Sequence, residues 1–271
     1  MIKCVIHCSD VHIRLFQRLE EYTEQLNAFV SKCEEIASGY EKDEVRIVIA
    51  GDLGHSKNQL TPEFITLTSF FLRQLEKIAK VIVIAGNHDL LVNNTSRIDA
   101  ITAIFETANF ENVAFLDSML GYESGIIEDD NIVWAVYSIY NGYSAPDLSG
   151  VEEGKTIVGL YHGMVVGATL NNGTVAESGV NGNLFEGCDL VMAGDIHKRQ
   201  VLKRGDVEII YPGSLIQQTF GETVSQHGFA VWDIESKTYE FSDLETDYGL
   251  YDIQVSTIDD FDDDKERLIN F

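Results

Sequence analysis

The sequence predicts an α/β protein whose largely parallel sheet carries helices on its faces. Two observations lead there. Apolar, β-branched runs alternate with segments of helical periodicity through the first half of the chain, an order that produces parallel strands with helical crossovers. Five of the apolar runs also end in a short cluster of Asp, His or Asn: CVIHCSDVH, RIVIAGDLGH, VIVIAGNHD, IVGLYHG and LVMAGDIH. Ligands in parallel α/β folds gather at the carboxyl ends of strands, where all five clusters fall.

The elements follow in order. MIKCVIHCSDVH opens as a strand. Leu19, Tyr22, Leu26, Phe29, Val30, Cys33 and Ile36 then recur at helical spacing, and Gly39 follows as a stop, so 14–38 reads as an amphipathic helix. After a strand at Arg46–Ala50, Thr61 supplies an N-cap and Pro62 the first helical position, and this second helix runs to the strand Val81–Ala85. A third helix is expected at Ile98–Ala108, beyond the Asn-rich loop Leu91–Ser96. The second half reads as strands at Ile132–Tyr137, Thr156–Tyr161, Asp189–Ala193, Val207–Tyr211, Gly228–Ile234 and Thr238–Phe241. Between two of them lies the polar loop VVGATLNNGTVAESGVNG, directly after His162, which reads equally as a substrate wall or as mobile surface.

Composition narrows the class. With 271 residues, 45% apolar content and three prolines, the chain has ample length for one large domain. No uncharged apolar stretch reaches eighteen residues, so no membrane span or signal segment is expected. Cys4, Cys8, Cys33 and Cys188 form no CxxC pair, which fits a reduced, cytoplasmic setting. The net charge of −25 repels phosphate, although thirteen acids against three Lys/Arg lie in the last 39 residues. Two divalent ions would add about +4 at one place.

Oxygen and nitrogen donors at a sheet edge suit divalent metals such as Mn²⁺, Fe²⁺ or Zn²⁺. Five clusters hold too many ligands for one ion, and two adjacent metals point to phosphoester or amide hydrolysis. His7, inside a strand, and His227, in a turn before Gly228, read as structural, and the Tyr and Phe residues as core or surface.

DVH, GDLGH, GNHD, a lone His after a strand and GDIH, in this order, resemble the signature of the calcineurin-like metallophosphoesterases. The resemblance implies a layered β-sandwich flanked by helices (α/β/β/α). Asp10, His12 and His197 would hold one metal, Asn87 and His162 the other, and Asp52 would bridge them. His88 would be the catalytic histidine, with Asp89 holding its imidazole, and His55 would serve as a supporting or substrate-contacting residue. The family's last motif is usually Gly-His-x-His, whereas Asp195 stands here at the first histidine position. A carboxylate ligand there favours Mn²⁺ or Mg²⁺.

IYPGSLIQQTFGE followed by HGFAVWDIE is similar to the matching stretch of the SbcD-like double-strand-break-repair nucleases, in particular the recombination endonuclease subunits of large bacteriophages. That resemblance implies a Mn²⁺-dependent exonuclease on duplex DNA and endonuclease on single strands. It also implies a homodimer bound to a coiled-coil SMC-like ATPase, in a cytoplasm that is the host's if the gene is a phage's. The nuclease domain would occupy 1–245, and 246–271 would begin a C-terminal capping or partner-docking segment, cut short. The alternatives are a phosphoprotein phosphatase or cyclic-nucleotide phosphodiesterase on the same scaffold, or a non-catalytic interaction module resting on Asp195.

Overall fold

In a computed structural model, which describes residues 1–14, 16–57, 59–94 and 97–251, the strands form two six-stranded sheets stacked face to face. The first contains β1 (Cys4–Cys8), β2 (Val45–Ala50), β3 (Lys80–Ile84) and β4 (Val113–Phe115), all parallel, with β11 (Gly228–Asp233) and β12 (Thr238–Asp243) antiparallel beyond β1. The second runs β5 (Gly125–Asp129), β6 (Ile132–Tyr137), β7 (Thr156–His162), β8 (Leu190–Gly194), β10 (Val207–Tyr211), β9 (Gln200–Arg204). Its four central strands are parallel and its two edges antiparallel. No helix among the described residues is long and apolar enough to cross a membrane.

Each layer has its own apolar filling. Helices α1 (Leu19–Ala37), α2 (Pro62–Ile78) and α3 (Ala100–Ala108) cover the outer face of the first sheet, where Phe29 packs its ring against Phe71 and Phe229. Truncating so central a ring costs about 3–5 kcal/mol. Between the sheets, Val5, Val48 and Ile82 face Trp134, Leu160 and Met192. His7 lies fully buried, two residues along β1 from Val5, as expected of a structural histidine. The outer face of the second sheet is covered differently. There the loop after His162 folds back through bridges Val165–Val180 and Thr169–Val175 and buries Val165, Ala168 and Ala176 against Tyr161 and Phe185. Part of this loop therefore packs as a cover, while 171–175 and 177–179 are exposed.

Several bounds differ from expectation, for physical reasons. The first helix starts at Leu19 because the backbone before it is committed elsewhere: Ile13 N–H bonds the Leu53 carbonyl at 2.9 Å, and Arg18 has φ 55°. The third starts at Ala100, where Asp99 accepts from Thr102 N–H at 2.6 Å as an N-cap. Strands β4, β5 and β9 and the short helix α4 (Leu116–Met119) carry too little periodicity to be read: β4 has three residues, and β5 and β9 are half-exposed edges. All four cysteines are free and buried. The proposed cap falls on residues that, from 252 onward, lie outside those described.

Candidate metal centre

Stacking the sheets brings the carboxyl ends of β1, β2, β3, β7 and β8 to one edge. The turns there are tied to each other: Asp10 N–H bonds the Gly51 carbonyl at 3.2 Å, His12 N–H the Asp52 carbonyl at 2.9 Å, and Gly163 N–H the Gly194 carbonyl at 3.1 Å. Asp10, His12, Asp52 and Asp195 all adopt the left-handed region, with φ of 53°, 50°, 52° and 94°. Non-glycine residues held so are strained, and the strain turns all four side chains inward. Close approach also needs glycine. A Cβ at Gly86 would overlap Asp52, and one at Gly194 would meet the Ala50 carbonyl and the His162 ring.

Two groups of donors that include carboxylates result. In the first, the carboxylate of Asp10 stands 3.9 Å from His12 Nε2 and 3.7 Å from His197 Nε2, and the two Nε2 atoms face each other at 3.0 Å. In the second, His162 Nε2 lies 3.4 Å from Asp52 Oδ1, 3.2 Å from Asn87 Oδ1 and 3.9 Å from Asp195 Oδ1, with Asp10 again alongside. Asp52 joins the groups, because its other oxygen is 3.4 Å from His12 Nε2. The structure thus assembles Asp10, His12, Asp52, Asn87, His162, Asp195 and His197 within one cluster.

These residues fit a pair of cations. His162 donates from Nδ1 to the Ala50 carbonyl at 2.7 Å, and His197 Nδ1 meets Glu222 Oε1 at 2.9 Å. Both Nε2 lone pairs are therefore aimed at the cluster, the orientation metal-bound histidines take. The two imidazole nitrogens opposed at 3.0 Å share a hydrogen bond that a cation bound between them would replace.

Electrostatics agree. Burial pushes Asp10 up to about 6 against the pull of His162 and His197. Burial also opposes ionisation of Asp52, yet His162, His12 and His88 hold it below the ordinary carboxylate range. Burial opposes charge on His162 and His197 too, but Asp52 raises the first, and Glu222 with Asp10 pushes the second up to about 9. Burial dominates at His12, which is held well below its ordinary value. Without cations, the cluster keeps protons on two of the nitrogens a metal would take.

His88 borders both groups. Its backbone N–H bonds Asp52 Oδ1 at 2.7 Å, its Nδ1 meets the His55 carbonyl at 2.9 Å, and its ring lies 4.8 Å from that of His12. His55 stacks on His88 at 5.3 Å and sets Nδ1 3.4 Å from His12 Nδ1. His12, His55 and His88 thus bring three nitrogens together, but with no carboxylate among them. Burial and the neighbouring charge of Arg14 push His55 down to about 4, so it is neutral near pH 7.

Asp89 requires a correction. It does not hold the His88 imidazole, which is tied to the His55 carbonyl. Its fully buried carboxylate accepts from the backbone N–H groups of Gly54 and Gly86, each at 2.8 Å, and of Leu53 at 3.3 Å. It staples the GDLGH turn to the GNHD turn. Burial, then the charge of Asp52, pushes its carboxyl up to about 8.

Sequence reasoning gave no role to three supporting residues. Ser9 Oγ donates to Asp10 at 2.6 Å, Tyr143 hydroxyl donates to the His162 carbonyl at 2.7 Å, and Glu222 of the FGE segment anchors His197. Glu222 also accepts from Gln218 N–H at 2.9 Å and Ser214 Oγ at 3.1 Å. The FGE motif was visible in the chain, but nothing local linked it to a histidine 25 residues earlier. His227 buttresses the same loop through Ser214 and Thr223, as a structural residue.

Comparison with known proteins agrees with this geometry. Residues 3–237 match the family model described as the calcineurin-like phosphoesterase superfamily domain. An uncharacterized protein of Acanthamoeba polyphaga mimivirus is 34% identical over 269 residues, 94% of this chain; the chain spans 19% of that relative's length. Among solved structures, a novel archaeal phosphodiesterase is 15% identical with a TM-score of 0.41, over 89% of this chain and 99% of its own. A hypothetical protein from Pyrococcus horikoshii is 15% identical with a TM-score of 0.44, over all of this chain and 94% of its own.

Proposed function

The chain belongs to the calcineurin-like phosphoesterase superfamily, whose members are metal-dependent hydrolases using two divalent ions, and we propose that it is a phosphodiesterase acting on DNA. One observation carries the two-metal hydrolase part of this reading: Asp52 offers one oxygen to each donor group while Asp10 sits beside both, which suits two ions bridged by protein. The IYPGSLIQQTFGE segment supports DNA as substrate. It supplies Glu222 to the metal centre, and it is the stretch that is similar to the break-repair nucleases. On this reading the chain is a Mn²⁺-dependent duplex exonuclease and single-strand endonuclease. It works as a homodimer with a coiled-coil ATPase.

Asp10, His12 and His197 would hold one ion, Asn87, His162 and Asp195 the other, with Asp52 between. Bound there, the ions supply an activated water and neutralise the oxygens of the reacting phosphate. The chain's residues do the rest. His88 is fixed at Nδ1 by the His55 carbonyl, which leaves Nε2 to place a phosphate oxygen or give a proton to the leaving group. Asp89 keeps the two turns that carry Asp52 and His88 at a fixed separation. Asp195, a hard oxygen donor, supports Mn²⁺ or Mg²⁺ over softer ions.

The net charge of −25 favours the second reading, a phosphatase or small-diester hydrolase. End-labelled duplex and single-stranded DNA, incubated with Mn²⁺ beside bis-p-nitrophenyl phosphate and an Asp52→Ala control, decides between them. DNA degradation that the control loses establishes the nuclease. Small-ester hydrolysis without DNA cleavage overturns it in favour of the second reading, and silence on all substrates leaves the non-catalytic module.

A further inference from the structure

The chain carries 44 acids against 19 Lys/Arg, yet three cations around the metal centre pair with none of those acids among the described residues. They are Arg14, two residues beyond His12; Lys57, two beyond His55; and Lys198, next to His197. Arg18 and Arg199, close by in sequence, are matched to Glu21 and Asp243. The ammonium of Lys57 is taken up by the Asn87 carbonyl at 3.1 Å, which leaves Arg14 and Lys198.

Arg14 is held in place without being neutralised. One guanidinium nitrogen sits 3.2 Å from His55 Nε2, and the other reaches the Gln218 carbonyl at 3.2 Å and its side chain at 3.3 Å. Its Nε is buried with no hydrogen-bond partner among the described residues. A half-buried guanidinium costs desolvation, and an anion is what offsets it. Lys198, exposed beside His197, lines a cavity of about 80 Å³ together with Asn171, Arg199, Glu222, Thr223 and Gln226.

We infer that Arg14 and Lys198 bind phosphates neighbouring the reacting one, so that the centre takes a nucleic-acid strand in preference to an isolated phosphoester. This rests on the phosphodiesterase reading above and names the residues that select a polymer. Two cations beside the metal centre of a −25 molecule concentrate the attraction for polyanion there.

The test is binding of a fluorescent phosphorothioate oligonucleotide in Mn²⁺, titrated at several salt concentrations, for the wild-type chain and for Arg14→Gln, Arg14→Lys and Lys198→Gln. Removing one phosphate-binding cation lowers the slope of log affinity against log salt by about 0.7–0.9. Both glutamine variants should show that drop, and Arg14→Lys should restore it. The ratio of kcat/KM on oligonucleotide to that on bis-p-nitrophenyl phosphate should fall about tenfold in Arg14→Gln, the effect of deleting one charged hydrogen bond. Glutamine variants with unchanged slopes, beside a wild-type chain that binds and cleaves DNA, overturn this inference alone. A wild-type chain that hydrolyses the small diester and binds no oligonucleotide overturns it together with the nuclease reading.

Discussion

The two donor groups stand within one cluster but are held by different means. Around Asp52 and His162 the supports are backbone: the Ala50 carbonyl holds the imidazole, the His88 amide holds the carboxylate, and Gly51, Gly86 and Gly194 leave no room for a Cβ. Around Asp10 and His197 side chains add to the backbone: the Asp195 N–H reaches the Asp10 carboxylate at 3.1 Å, but Ser9 also donates to it, Glu222 holds the His197 imidazole, and Tyr22 hydroxyl bonds the His12 carbonyl at 2.7 Å. A backbone-held ligand tolerates no change of volume and gives a mutation little to tune. A side-chain-held ligand is adjustable, because its charge and basicity come from a replaceable partner.

The most damaging way to break the contrast is Gly86→Ala. The new methyl would occupy the place of the Asp52 carboxylate, so either the GNHD turn moves or Asp52 does. Both ions share Asp52, and hydrolysis should fall to background with binding of both metals weakened in calorimetry. Retained two-site binding would show that the backbone frame yields more easily than the packing implies.

His88→Ala comes next and separates chemistry from metal holding. Neither ion's donor group includes its ring, so both ions should bind with near wild-type affinity while kcat drops on the order of 10²–10⁴-fold. Weakened metal binding would make His88 a ligand and remove its assigned role.

Glu222→Gln sharpens the comparison, because it acts on one group alone. Supporting carboxylates of this kind are worth about 10–100-fold in metal affinity, and the loss should fall on the Asp10–His12–His197 ion only. Its pH signature follows from His197. With a value near 9, that imidazole must release a proton on metal binding, so affinity at this site should rise with pH up to about 9. Glu222→Gln should flatten that rise. In the metal-free protein, charged His197 stabilises the fold fully below its unfolded value near 6.5, and the contribution is lost as pH rises through about 9. Two equal metal sites in the variant would deny the asymmetry.

The same contrast explains what the sequence made legible. Asp10, Asp52, Asn87, His162 and His197 each follow an apolar strand, so their placement at one edge was readable from parallel α/β logic. Glu222 lies in a loop between β10 and β11, and its partnership depends on tertiary packing that no periodicity encodes. Asp89 misled because adjacency to His88 suggested contact, whereas the turn points its carboxylate into the protein, at three amides. The covering of the second sheet escaped too, since a Gly- and Asn-rich loop gives no helical or alternating signal even where Val165, Ala168 and Ala176 are buried.

The smallest expected effect lies on the backbone-held side. Tyr143 donates its hydroxyl to the His162 carbonyl, and burial raises that phenol far above its ordinary value. Tyr143→Phe removes one hydrogen bond and keeps the ring that packs on Tyr161 at 4.9 Å. A neutral bond of this kind contributes about 1 kcal/mol, so the melting temperature should fall by a few degrees at most. Metal affinity at the His162 group should stay within about twofold, because the ring is fixed independently at Nδ1 by Ala50. If the variant instead loses the His162 ion as Glu222→Gln loses the other, then Tyr143 is to His162 what Glu222 is to His197. Both halves of the centre would then be side-chain-held.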